Sequence, residues 1–228
     1  RRNLIINGAM QVAQRGTSVT GLQNSPQYAM DRWAYRRNGT WTSAYFTLDT
    51  ASDAPSSFTN SLKLTTTTAE IASGVMTNGF AQYLEGQDLQ HLEWGTSNAK
   101  SITVSFWAKS SVTGTFCVST IAGTGTEGYL SEYTINTADT WEYKTIIITG
   151  NTSTAIPNTN GYGLRVFWIA AADSVGGNVV TPNTWQTLAA HMSCTSNQVS
   201  ISNTVNDYLA ITGVQLEVGS VATPFEHR

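Results

Sequence analysis

Apolar residues recur at every second position along most of the chain. In the stretch from Ser101 to Ser111, Ile102, Val104, Phe106 and Ala108 alternate with Ser101, Thr103, Ser105, Trp107 and Lys109. That is the period of a strand with one apolar face. Similar runs fall at 3–8, 31–37, 41–50, 60–68, 79–85, 114–122, 129–136, 141–150, 163–172 and 207–219, separated by Gly, Asn, Asp, Ser and Pro. Only 87–95 and 184–192 read as helical. The first places Leu89 and Leu92 on one face and ends at Gly95. Many strands with one or two short helices predict an all-β fold, a two-sheet jelly-roll sandwich. No composition shift divides the chain. We therefore expect one domain over 1–228, with 1–30 as an extended N-terminal arm.

Two strands depart from simple alternation. In 163–172, Leu164, Val166 and Trp168 lie on one face while Phe167 and Ile169 lie on the other, and 143–149 is similar. A strand apolar on both faces sits in a sheet covered on both sides. The expected cover is a long loop, a short helix or a neighbouring subunit. Trp107 raises the same question, because it stands on the hydroxyl face of its strand. Trp41 and Tyr45 share a face with Ser43 and Thr47. Flat rings flanked by hydroxyls suit sugars, whose C–H faces stack on the ring while their hydroxyls find hydrogen bonds. Packing beneath a loop or across a subunit contact is the competing reading, and for Trp107 it is the more economical one. Trp41, Tyr45 and Trp107 are the candidate glycan-binding residues.

Composition narrows the classes. Charged residues are 12% of the chain, against about 25% in ordinary soluble proteins. Seven Trp and 40% hydrophobic residues argue for a packed core. The formal net charge is −3, and no basic stripe exists that would track a nucleic acid. No apolar run approaches the roughly 20 residues that span a membrane, and no signal peptide is visible. The chain begins without Met, so both ends read as cut or processed. Cys117 and Cys194 form no metal spacing; two buried small hydrophobes and a single bridge both remain open.

Candidate chemistry is sparse. His91, His191 and His227 have no metal-ligand spacing. The Gly-rich run 123–128 leads from one strand into another, so it reads as a hairpin loop without the helix N-terminus that cradles phosphate. Glu127 with Glu132, and Glu85, Asp88 and Glu93, are the neighbouring acids to weigh as glycosidase pairs. Fifteen acids scattered over 228 residues produce such neighbours by chance. We expect no catalytic residues, no metal and no cofactor.

Three segments carry a resemblance. "NLIINGAMQVAQRGTS" (3–18), "YAMDRW" (28–33) and "ITGVQLEVGSVATPFEHR" (211–228) resemble a family of bacteriophage tail-fibre and related virion proteins. The middle, 83–111 with 140–150, is similar to carbohydrate-binding-module jelly rolls. The resemblance implies a virion structural protein on the phage particle surface, a tail-fibre or receptor-binding domain recognising host surface polysaccharide. It also implies a homotrimer in contact with other virion proteins. A head-decoration or fibre-connecting protein without glycan binding, or an accessory module of a depolymerase, are the alternatives. Related modules hold a structural calcium with acids near the start and in the last strand. Here Gln11 and Thr212 stand at those positions, and they cannot supply two carboxylates to a hard cation.

Overall fold

The computed structural model describes residues 2–14, 16–23, 26–123, 125, 127–175, 178–188 and 193–228. Strands β1 (Ser18–Leu22), β2 (Gln27–Met30), β3 (Trp33–Asn38), β4 (Tyr45–Ala51) and β5 (Ser61–Thr68) lead to β6 (Thr77–Glu85). A short 3₁₀ helix, Gly86–Leu92, precedes β7 (Ile102–Ser110), β8 (Gly114–Ala122), β9 (Glu127–Ile135), β10 (Glu142–Ile148) and β11 (Tyr162–Ala172). Three short strands follow, β12 (Asn178–Val179), β13 (Trp185–Thr187) and β14 (Ser193–Cys194). The last, β15 (Tyr208–Val218), returns to the middle of the first sheet.

Two sheets face each other. One runs β1-β4-β5-β15-β7-β10 and the other β13-β9-β8-β11-β6-β3-β2; their ladders are antiparallel. After β5 the chain crosses between sheets at every step but the β8–β9 hairpin and the short β12–β14 excursion. This is the jelly-roll sandwich that the alternation predicts. The inward row of β7, Ile102, Val104, Phe106 and Ala108, is fully buried. It meets Trp168 of β11, whose indole lies 5.6 Å from Phe106 at 90° and 5.4 Å from Trp33. Offset and edge contacts of this kind favour aromatic cores, each adding about 0.5–1.5 kcal/mol beyond burial.

Several expectations change. The described residues of 1–30 do not project as an arm: Leu4, Ile5, Met10, Leu22 and Met30 are buried, and β1 and β2 each join a sheet. Residues 3–8 are not a regular strand. They lie beside β15 where β5 has left it, with Leu4 N–H donating to Leu216 and Val214 N–H donating to Gly8. Asn7 then bends the backbone at φ 57°. Its side chain accepts from the Gln11 and Val12 amides and donates to the Val12 and Asp31 carbonyls. The candidate helix 184–192 holds β13 instead, and 189–192, including His191, lie outside the described residues. Segment 87–95 forms the 3₁₀ helix, with Leu89 and Leu92 inward.

The two strands read as covered on both sides part company. Residues 163–172 are all buried. The segment after β11 folds back over their outer row, where Phe167 and Ile169 pack with Leu130, Cys117 and Cys194. In 143–149 the outer row is open: Tyr143 and Ile147 are each 47% exposed. β10 is the last strand of its sheet, and no described segment crosses it.

The two chain ends are clasped together. Gln215 and Glu217 sit on β15 beyond a bulge at Gly213 and Val214. Gln215 accepts from the Glu226 amide, and Glu217 accepts from the Thr223 amide and hydroxyl. Arg228 donates to the Asn3 and Leu4 carbonyls, while Asn7 N–H donates to Arg228 O. The terminal sequence motifs are thus one structure.

Candidate functional site

The clasp builds one wall of a groove on the outer face of the six-stranded sheet. Trp107 of β7 stands opposite Tyr143 of β10 and Thr212 of β15. Its ring centroid lies 5.5 Å from that of Tyr143, with the planes 56° apart. The β15 bulge carries Gly213 at φ 60°, and Phe58 packs onto that glycine in the space a Cβ would need. Phe58 meets Phe225 edge-on at 5.0 Å, and Phe225 meets His227 at 4.9 Å. The groove measures about 650 Å³, within the size range of small-molecule sites. Ser57, Ser105 and Thr223 place hydroxyls among the rings. Trp107 is therefore half-buried: a loop and the C-terminal tail flank its ring, and the groove runs over it.

The opposite wall is the loop between β4 and β5, tied to the sheet by hydrogen bonds. Asp53 accepts from Lys109 Nζ at 2.8 Å and from Trp141 Nε1 at 3.2 Å. Burial pushes the Asp53 carboxyl up, but these donors outweigh it and hold it below the usual carboxylate range. Thr212 Oγ1 donates to Asn60 O at 2.7 Å, tying the loop to the sheet beneath.

The structure does not bring the three sequence candidates together. Trp107 lies in the groove. Trp41 is only 9% exposed, edge-on to Phe46 at 6.0 Å, with Nε1 donating to Asn38 O. Buried this way, it offers no open face for stacking. Tyr45 is partly exposed at the start of β4 and does not line the groove. The shared face expected for 41–47 fails because residues 41–44 are not strand. They curl around the Glu70 carboxylate, which takes the amides of Thr42, Ser43 and Ala44. Burial raises the Glu70 pKa, but those amides and the Thr42 hydroxyl prevail and hold it at about 2. Phe58, Tyr143, Phe225 and His227 come from segments far apart in sequence. Tyr143 alone carried a local signal, as an aromatic on the outer row of an alternating strand.

The acids weighed as catalytic pairs are engaged elsewhere. Glu127 takes the Thr154 hydroxyl and Glu132 takes the Asn197 amide. Glu85 pairs with Arg32, Asp88 with Arg228 and Glu93 with Lys100. Among the described residues no three His, Cys, Asp or Glu side chains gather as metal ligands. At the positions where related modules hold calcium, Gln11 is exposed and Thr212 donates its hydroxyl to Asn60. That donor set does not suit a hard dication. Cys117 and Cys194 are both free and buried. Burial pushes the Cys117 thiol up to about 11, despite the nearby Thr195 hydroxyl.

No family profile and no curated protein matches the chain. Solved structures do. The enzymatically active domain of tailspike protein 4 from bacteriophage CBA120 superposes with TM-score 0.49 at 14% identity, over 95% of this chain and 21% of that one. A cyclase from Fischerella sp. TAU gives 0.48 at 12% identity, over 98% and 100%. The family 11 carbohydrate-binding module from Clostridium thermocellum, solved with a mixed-linked tetrasaccharide, gives 0.40 at 10% identity, over 92% and 100%. The chain thus spans about a fifth of the tailspike domain's length. The ligands and reactions of these proteins are their own properties.

Proposed function

We propose that this chain is a glycan-recognising module of a phage virion, acting at the particle surface, with the Trp107 groove as its saccharide site. The observation that carries the reading is the groove: Phe58, Trp107, Tyr143, Phe225 and the His227 imidazole, with the hydroxyls of Ser57, Ser105 and Thr223, line about 650 Å³ of open space. A pyranose ring stacks on Trp107 or Tyr143 through its C–H face, and Ser57, Ser105 and Thr223 are within the same wall set for its hydroxyls. The virion part of the proposal is supported by the resemblance of the terminal motifs to tail-fibre proteins. We assign no catalytic step to the chain, since the acids put forward for it have other partners.

The test is retention of the purified protein on immobilised host surface polysaccharide. Trp107→Ala and Tyr143→Ala are each expected to weaken binding by about tenfold or more, in line with 1–3 kcal/mol for a lost stacking partner. Far-UV circular dichroism should be unchanged. Retention of both variants at wild-type strength would sink the site. Release of reducing ends from the polysaccharide would overturn the binding-only reading.

One observation favours a second reading. Tyr143 and Ile147 leave an apolar strip on the outer face of the edge strand β10. In a fibre connector without glycan binding, that strip would face a second copy in the expected homotrimer. Light scattering on Ile147→Asp separates the two, because only the connector reading requires the oligomer to dissociate while polysaccharide retention stays absent throughout.

A further inference from the structure

A second cluster lies on the other side of the sandwich. On the outer face of the seven-stranded sheet, Tyr83 of β6 stands directly opposite Arg165 of β11. Tyr162 packs edge-on to Tyr83 at 5.4 Å. Arg36 of β3 reaches along its strand until its guanidinium lies 5.9 Å from the Tyr83 ring centroid. It can do so because its strand neighbours on that face, Ala34, Gly79 and Ala81, are small. Tyr28, on the edge strand β2, is 41% exposed and close enough to Tyr83 to act on it electrostatically.

The charges are unusual for so sparsely charged a chain. Arg165 is buried at the base of the cluster, and Arg36 is close enough to act on it electrostatically. Burial first, then the Arg36 charge, depress the Arg165 pKa to about 10, the phenols nearby opposing them. Arg165 therefore stays cationic at neutral pH beside the Arg36 guanidinium. Glu85, outward on β6, faces the same region but pairs with Arg32 at 3.9 Å. Arg36 has no carboxylate partner among the described residues, and its Nε is buried without a hydrogen bond. Arg36 is thus a guanidinium whose charge no carboxylate among the described residues neutralises.

We propose that this face is a second binding site, selective for a saccharide carrying a carboxylate, such as a uronic acid unit. The carboxylate would lie against Arg36, in the bidentate manner guanidinium favours. Tyr28, Tyr83 and Tyr162 would take the sugar ring and its hydroxyls. This site does not depend on the Trp107 groove, which offers aromatic rings and hydroxyls.

The probe is trigalacturonate, with neutral galactotriose as its uncharged counterpart, measured by isothermal titration calorimetry on the whole chain. Trigalacturonate is expected to bind at least about tenfold tighter than galactotriose, and the preference should shrink as salt rises. Arg36→Gln should abolish the preference, and Tyr28→Ala should weaken trigalacturonate several-fold. Arg36 is partly exposed and Tyr28 more so, so both variants keep the core intact; a thermal melt within about 2 °C of wild type verifies this. Equal affinity for the two trisaccharides, no heat with trigalacturonate at about 10 mM, or loss of binding only in Trp107→Ala would each overturn the proposal.

Discussion

Gly213→Ala tests how the groove wall is made. The residue sits at φ 60°, in the β15 bulge. An alanine there bears the left-handed backbone penalty of about 1 kcal/mol. Its Cβ would also lie 2.5 Å from Phe58 Cζ and 2.8 Å from Cε2. The ring must retreat by about 1 Å to reach ordinary contact, and it can, because it is the far end of a side chain over a groove. Retreat disrupts the edge contact with Phe225, about 0.5–1.5 kcal/mol. The sum is about 1.5–2.5 kcal/mol, or a melting temperature lowered by roughly 3–10 °C for a domain of this size. The assay is a double-mutant cycle by thermal or urea unfolding. In a Phe58→Ala background the same substitution should cost only the backbone part, about 1 kcal/mol. An equal cost in both backgrounds, or a melt shifted by less than about 1 °C in the single variant, would refute the reasoning.

Three further outcomes follow from the same geometry. Glu70 and Glu142 are each lowered from 4.5 to about 2. Their folded-state pKa values lie below the unfolded ones, so the stability they confer is complete above about pH 4.5 and is lost as pH falls toward 2. Both carboxyls are partly exposed, so screening leaves about 1 kcal/mol each. Glu70→Gln should flatten that part of a pH-dependent melt, and an unchanged acid limb would count against it. Cys117 should stay inert to a thiol reagent at pH 8 in the folded protein, because the thiol is buried and pushed up to about 11. Both thiols should react on unfolding; fast labelling of the native chain would contradict the packing. Asn7→Ala removes four side-chain hydrogen bonds at a left-handed position and should destabilise by about 2–4 kcal/mol. Urea unfolding with a loss below about 1 kcal/mol would show that this bend is not what fastens the N-terminal segment.

What the sequence discloses divides by locality. Alternation in 60–68, 79–85, 100–110, 114–122, 129–136 and 163–172 locates β5 to β9 and β11, because each inward row is buried by the opposite sheet. The short strands β1, β2 and β12 to β14 are polar or only two to five residues long, too short for a period to show. The outer rows obey no local rule. Phe167 and Ile169 are covered because the chain after β11 folds back, whereas Ile147 is open because β10 is an edge. The two strands looked alike in sequence, and only the path of distant segments separates them. Trp41 misled for a related reason: the Glu70 carboxylate, 28 residues on from Thr42, draws 41–44 out of the strand period.

Trp107 joins these two levels. Its place on an outer row is readable from "SITVSFWAKSS", but its surroundings come from residues 52–60 and 223–227. The tail is fixed by Gln215 and Glu217, whose outward aim depends on the bulge at Gly213 and Val214. The same bulge seats Phe58 on Gly213. One irregularity in β15 thus positions both walls and the clasp that closes the N-terminus against the C-terminus. The short string "TGVQLE" therefore does two physical jobs at once, and a change in it should disturb the groove and the chain ends together. Variation confined to Tyr143, Ser105 or Ser57 would alter what the groove accepts while leaving its walls in place, because none of these side chains takes part in the clasp.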